Sequence, residues 1–271
     1  MKHLNRSPNF IASALVAGFT LLALPVLAAK TIATDRPDFV ESSDVVGEGR
    51  VQVETGLSFE SDRTSGMKVR TRTTPTLLRV GVSETLELRV ETDGFVREQQ
   101  HDLSTGTRTQ ARGFSDAALG LKWHVQDGDE EAGRPGVAWL VGLDVNSGSA
   151  AFRGQGLRPS LRGVAEWELP HDASIGVMGG VLLDRRADGH RFAAGILAVT
   201  LGKSWTPIWR TFIELASQQL ASRVNGGSIV TFDAGVTCLI SESLQLDLSA
   251  SRGLNATSPD FQWGVGISVR F

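Results

Sequence analysis

From residue 51 to the end of the chain, apolar and polar side chains alternate in run after run. The clearest run is the last, where Phe261, Trp263, Val265, Ile267, Val269 and Phe271 alternate with Gln262, Gly264, Gly266, Ser268 and Arg270. Near the start, Val51, Val53, Thr55, Leu57 and Phe59 oppose Gln52, Glu54, Gly56, Ser58 and Glu60. Period-two alternation is the sequence form of a β-strand with two unlike faces. The pattern recurs around Leu86, Leu119, Val137, Leu161, Trp209 and Leu244. Segments near 71–82, 173–183, 192–202 and 229–240 complete a set of twelve predicted strands.

The connectors between these strands alternate in length. Ser83-Glu84-Thr85, Pro170-His171-Asp172, Lys203 to Thr206 and Ser241-Glu242-Ser243 read as tight turns, whereas 61–68, 93–113, 146–156, 184–191, 221–227 and 253–260 read as long loops. Gln126 to Pro135 is a long connector where a short one is expected. An even number of antiparallel strands with short turns at one end and long loops at the other fits a closed barrel of the outer-membrane type. A spanning strand takes about 9 to 11 residues, which twelve strands here supply. Closure also pairs every backbone N–H and C=O, as hydrocarbon demands. The expected fold is therefore all-β, a closed antiparallel transmembrane β-barrel of about twelve strands over residues 49–271. A secreted β-sandwich is the alternative, but it calls for shorter strands and Greek-key spacing.

Residues 1–29 read as a signal peptide: Lys2 and Arg6 precede an uncharged run from Ile11 to Leu27, and Val26-Leu27-Ala28 offers small residues for cleavage. No cysteine stands near that point, which argues against a lipoprotein. Residues 30–48 are too charged and irregular to span a membrane. They are expected to form a periplasmic N-terminal segment or a plug, in which Asp35, Arg36, Asp38 and Glu41 pair with charges of the barrel mouth.

The 271 residues include one cysteine and no tyrosine, and carry a net charge of -3. That balance gives no basic surface of the kind nucleic acid requires. A single Cys238 excludes a disulfide scaffold and is expected to face lipid. On the predicted topology Trp123, Trp139, Trp167, Trp205 and Trp209 cluster at the periplasmic rim as a membrane-interface girdle, which rests on tryptophan and phenylalanine alone.

The polar faces would line the lumen with both signs: Arg79, Arg89, Lys122, Arg162, Arg210 and Arg270 with Glu54, Glu87, Glu91, Asp116, Asp144, Glu166, Glu214, Asp233 and Asp247. Mixed charges at cross-strand spacing are expected to pair and hold the wall together rather than select ions of one sign. His101 in the longest loop and His124 on a lumen face lack evident partners, and neither G-x-S-x-G nor H-E-x-x-H occurs. No catalytic, metal or cofactor site is expected.

Three stretches resemble the MetA-pathway-of-phenol-degradation family of outer-membrane transporters. They are Thr34-Asp35-Arg36-Pro37-Asp38-Phe39 leading into Gly49 to Gly56, Pro75 to Gly81 with Leu86 to Arg89, and Gly113 to Asp116 with Gly120 to Trp123. The ending from Gly253 to Phe271 fits as well. The resemblance implies an exported barrel in the outer membrane that moves small, often aromatic or apolar, solutes. Its partners would be outer-membrane lipid and the barrel-assembly machinery, for which terminal Phe271 resembles the insertion signal. The readings to be separated are a narrow passive channel, an outer-membrane hydrolase, and a structural or adhesive barrel without an open path.

Overall fold

The computed structural model describes residues 31–186 and 188–271; the expected signal peptide lies outside them. The chain forms one antiparallel sheet of fifteen strands that closes on itself. Strands β1 (Val51–Thr64), β2 (Met67–Thr73), β3 (Thr76–Gly81), β4 (Leu86–Thr92) and β5 (Phe95–Asp102) come first. They are followed by β6 (Arg108–Phe114), β7 (Ala117–Gln126), β8 (Gly136–Val145), β9 (Arg158–Leu169) and β10 (Ala173–Arg185). Then come β11 (Arg191–Ser204), β12 (Trp209–Leu220), β13 (Ile229–Ser241), β14 (Leu244–Gly253) and β15 (Phe261–Arg270). β15 pairs with β1 from Gln52 against Arg270 to Ser61 against Phe261, which closes the barrel.

Three pairs of these strands are single staves interrupted once, so the barrel has twelve staves. The interruptions lie side by side at Thr74-Pro75, Asp93-Gly94 and Ser115-Asp116. Pro75 lacks the N–H a ladder needs, and Gly94 adopts φ 66° where a Cβ would collide with the carbonyl of Thr74. Oxygen contacts bind this seam together: the Ser115 N–H donates to the Gly94 carbonyl at 2.9 Å, and the Thr92 and Ser115 hydroxyls meet at 3.0 Å. Irregularities of this kind bend a sheet and sharpen its twist.

Beyond the seam the structure departs from expectation. Residues 61–68 and 93–113 are mostly strand, with turns only at Ser65-Gly66 and 103–107 and the break at Asp93-Gly94. β1 and β2 run on to a tight turn at Ser65-Gly66, and β5 and β6 form a hairpin, so both rise above the rest of the wall. Both faces of these upper segments are polar, so the apolar alternation that marks a spanning strand is missing there. The Gln126 to Pro135 connector closes through an Asp129–Arg134 bridge.

Faces alternate as the sequence predicts. Leu88, Trp123, Val141, Leu161, Leu197, Ile213 and Leu248 point outward and are about half exposed, while their neighbours Glu87, Lys122, Leu140, Glu214 and Asp247 point inward and are buried. Cys238 lies on the outer face of β13, next to exposed Ile240 by alternation. An apolar outside and a largely polar inside is the pattern of a barrel set in lipid.

Candidate functional site

Residues 31–50 contain no helix or strand, and they run through the barrel interior. The segment enters beside the β13–β14 turn, where the Ile32 N–H donates to the Glu242 carbonyl at 2.8 Å. It reaches furthest along the lumen at Arg36 to Phe39 and returns to the same rim, where the Gly49 N–H meets the Gly81 carbonyl at 3.1 Å. A backbone inside a barrel has no ladder to join, so its polar groups must be satisfied by side chains. Wall carboxylates do this for the N–H groups. Glu54 accepts from Asp35 at 3.0 Å and Arg36 at 3.1 Å, Glu214 accepts from Phe39 and Val40 at 2.8 Å each, Glu87 accepts from Val46 at 3.0 Å, and Glu166 accepts from Ser43.

Wall cations serve the carbonyls. Arg79 donates to Ala33 and Asp44 at 2.9 Å each, and Lys122 donates to Ser42 at 2.8 Å. Arg270 reaches the Thr31 carbonyl at 3.4 Å. The mixed lumen charge thus answers to the segment as well as to other groups of the wall. Arg79 bridges the wall to Glu54 at 3.0 Å and Glu87 at 2.9 Å, Arg89 meets Glu87 at 3.0 Å, and Arg158 lies 3.9 Å from Asp144 on the neighbouring strand.

The four residues singled out in the segment are all engaged. Asp35 meets Lys122 at 2.8 Å, Arg79 at 3.4 Å and Arg89 as well. Glu41 meets Arg162 at 2.5 Å and Arg89 at 2.8 Å. Arg36 pairs with Asp247 at 3.1 Å, and Asp38 lies 3.8 Å from Arg210. Burial alone would raise all three carboxyls. The surrounding Arg79, Lys122 and Arg89 charges instead hold Asp35 well below the usual range, and Arg162 and Arg89 lower Glu41. Burial pushes Asp38 up to about 6, although Arg210 opposes the rise.

The opposite side of the lumen carries an apolar cluster among its polar groups. Val40 packs into a cluster of Ala138, Leu140, Val164, Met178, Ile196 and Ala198, with Phe39 against it. Each of the twelve staves contributes at least one buried inward residue at this level, from Gln52 on β1 and Arg79 on β3 round to Gln245 on β14 and Ser268 on β15. On the far side of Asp35 to Glu41 the interior is hollow. A cavity of about 360 Å³ lies among Phe39, Arg89, Glu91, Asp144, Arg162 and Leu182, and another of about 270 Å³ lies among Arg36, Asp38, Glu214, Asp233 and Gln262.

Asp116 takes a different part, since its carboxylate accepts the Gly148 and Gly154 N–H groups and Arg158, all at 2.8 Å, and ties the loop after β8 to the wall. Trp123, Trp139, Trp205 and Trp209 are exposed on the outside near the short turns, with Trp167 half-buried among them. His124 does have partners: its ring bonds the Ser43 carbonyl at 2.8 Å and Asp127 at 2.9 Å, so it clamps the segment to the rim. His101 stands on β5 opposite Arg108.

Sequence reasoning missed Phe39, Val40 and Gln52 as site residues: Phe39 and Val40 act through backbone N–H groups and apolar contacts, and Gln52 donates to the Ala33 carbonyl and Glu54, none of which carries a motif. It also missed an outer aromatic row. Phe59 stacks on Trp263 with centroids 4.4 Å apart, and Phe95 meets Phe114 edge-on at 5.6 Å.

A closed twelve-stave barrel with a lipid-facing apolar belt, a charged lumen and a chain segment folded into it defines an outer-membrane-type β-barrel protein. The chain belongs to the family described as Putative MetA-pathway of phenol degradation, whose pattern matches residues 34–271. No curated protein matches it in sequence. Its fold is similar to that of an outer membrane channel from Pseudomonas putida F1, with a TM-score of 0.61 and 13% identity over 85% of this chain and 98% of that one. It is also similar to the β-domain of the Bordetella autotransporter BrkA, with a TM-score of 0.52 and 14% identity over 82% of this chain and 99% of that one.

Proposed function

We propose that this protein is a narrow passive channel for small solutes in the outer membrane, and that residues 31–50 plug its lumen in the conformation described. The observation that carries the reading is the change in the interior along its axis: filled on every stave at the level of the segment, hollow beyond it. Membership of a family named for phenol degradation supports a small aromatic or apolar solute. The larger cavity suits such a compound, since Leu140, Leu182 and Ile196 face Arg89, Arg162 and Asp144 across it. Outer-membrane lipid covers the apolar belt. Terminal Phe271, exposed and tied by its N–H to the Val51 carbonyl at 2.8 Å, is the recognition signal for the assembly machinery.

Planar-bilayer conductance of the mature protein, with and without residues 30–45, tests the plug. Deletion raises conductance if the segment closes the pore, and unchanged conductance removes that reading. Liposome swelling with phenol tests the channel itself: no solute entry through the deletion variant leaves a structural barrel in its place.

A further inference from the structure

Above the seam, β1, β2, β5 and β6 form a sheet extension whose two faces differ completely in charge. In-register partners on antiparallel strands share a face. Arg72 on β2, Arg97 on β5 and Arg112 on β6 lie directly opposite one another, in line with Phe59 on β1. Two residues further from the membrane comes Arg70, and two further again the row of Arg63, Lys68, His101 and Arg108. Among the described residues, seven lysine and arginine side chains and no carboxylate occupy this face. The acids of the extension, Glu60, Asp62, Glu98 and Asp102, fall on the other face by alternation.

Arg72 lies 5.6 Å over the Phe59 ring, which fixes the cationic face as the one that continues the lipid-facing side of the barrel. An aromatic belt marks the membrane interface here: the first row is in register with Phe59 and Trp263 and two residues beyond Phe95 and Phe114, and the others stand further out. Both ends of residues 31–271 lie at the opposite rim, so this face meets the outer leaflet. Like charges directly opposite across strands destabilise a sheet. Here three arginines are so placed on consecutive strands, and none of the seven cations comes within ion-pair distance of a carboxylate among the described residues. Neighbouring strands are about 4.8 Å apart and alternate residues about 6.8 Å along a strand, so the patch measures roughly 14 Å each way. That is room for more than one phosphate.

We propose that this face is a docking site for the phosphate groups of the outer-leaflet glycolipid, with Arg72, Arg97 and Arg112 nearest the membrane and Lys68 and Arg108 reaching further into the headgroup. Arginine suits the task because its planar fork matches phosphate geometry. The site rests on the barrel being in the outer membrane but is independent of whether the lumen conducts.

The test is retention of purified lipid A by the detergent-solubilised mature protein, read by native mass spectrometry, with the bisphosphorylated and dephosphorylated forms as probes. The wild-type protein should retain the bisphosphorylated form about tenfold better, and the preference should fall as sodium chloride is raised. Arg72→Ser/Arg97→Ser/Arg112→Ser should abolish the preference, the corresponding triple lysine variant should keep part of it, and single-channel conductance should be the same in all. Equal retention of the two lipid A forms by the wild-type protein overturns the proposal without need of any variant. So does retention unchanged by the serine variant, or a preference for an acidic soluble protein over the lipid.

Discussion

The two sides of the lumen hold the same segment by opposite means. On β1, β3, β4 and β7 the wall offers Glu54, Arg79, Glu87, Arg89 and Lys122, each buried and each bonded in a fixed direction to a named group. On β8 to β12 it offers Ala138, Leu140, Val164, Met178 and Ala198 around Val40, where shape matters most, and Arg162 and Glu166 of β9 add charged contacts there, to Glu41 and to the Ser43 N–H. Charged contacts set where the chain runs, because a displaced N–H or carboxylate loses its partner at once. Apolar contacts set how well the space is filled, and they yield gradually. Glu214 sits at the junction, a carboxylate on the apolar side holding two successive N–H groups.

The most severe break in this comparison is Arg79→Met. It leaves Glu54 and Glu87 without their shared cation and frees the Ala33 and Asp44 carbonyls. Removing one partner of a buried ion pair costs about 3–5 kcal/mol. The loss should appear as a lower urea midpoint in detergent, read by heat-modifiable gel mobility. Leu140→Ala, on the apolar side, should cost about 2–4 kcal/mol through the cavity it opens. It should leave the segment in place, so conductance changes little. If Leu140→Ala opened the channel as readily as Arg79→Met, the division of labour between the two sides would be wrong. Glu214→Gln sharpens the comparison further. An amide has one oxygen where the carboxylate has two, so either Phe39 or Val40 loses its acceptor at a cost of about 1–3 kcal/mol. Brief openings should become more frequent with little change in the unfolding midpoint.

Most of the wall was legible in the sequence because hydrocarbon outside and water or charge inside impose a strict period of two, and residues such as Trp139, Leu140 and Val141 cannot exchange faces without reversing the whole strand. The upper halves of β1, β2, β5 and β6 were not, since water bathes both of their faces and Arg97 alternates with Glu98 rather than with an apolar residue. The candidate site was half legible. Charges at Asp35, Arg36, Asp38 and Glu41 marked the segment as something other than a spanning strand. The partners that hold it are mostly backbone N–H and C=O groups, which every residue carries, so nothing in Phe39 or Val40 announces that Glu214 will receive them.

Acidity provides the smallest test and the one most specific to the segment. Arg210 on β12 and the Thr200 hydroxyl on β11 face Asp38, together with the carboxylates of Glu166 on β9 and Glu214 on β12. Burial carries its pKa from 3.8 to about 6, Arg210 opposes the rise, and Glu166 and Asp35 add to it. The docked segment therefore binds a proton that a released, solvated segment gives up near pH 4. Docking draws full benefit from that proton below about pH 4 and loses it as pH climbs through about 6. Asp35 and Glu41 run the other way, held low by Lys122, Arg79, Arg89 and Arg162, and stay ionised across this window. Opening probability in bilayers should accordingly rise modestly between pH 4 and pH 6, and Asp38→Asn should flatten that rise. A slope untouched by the substitution would assign the titration to the wall carboxylates instead and leave Asp38 as filler.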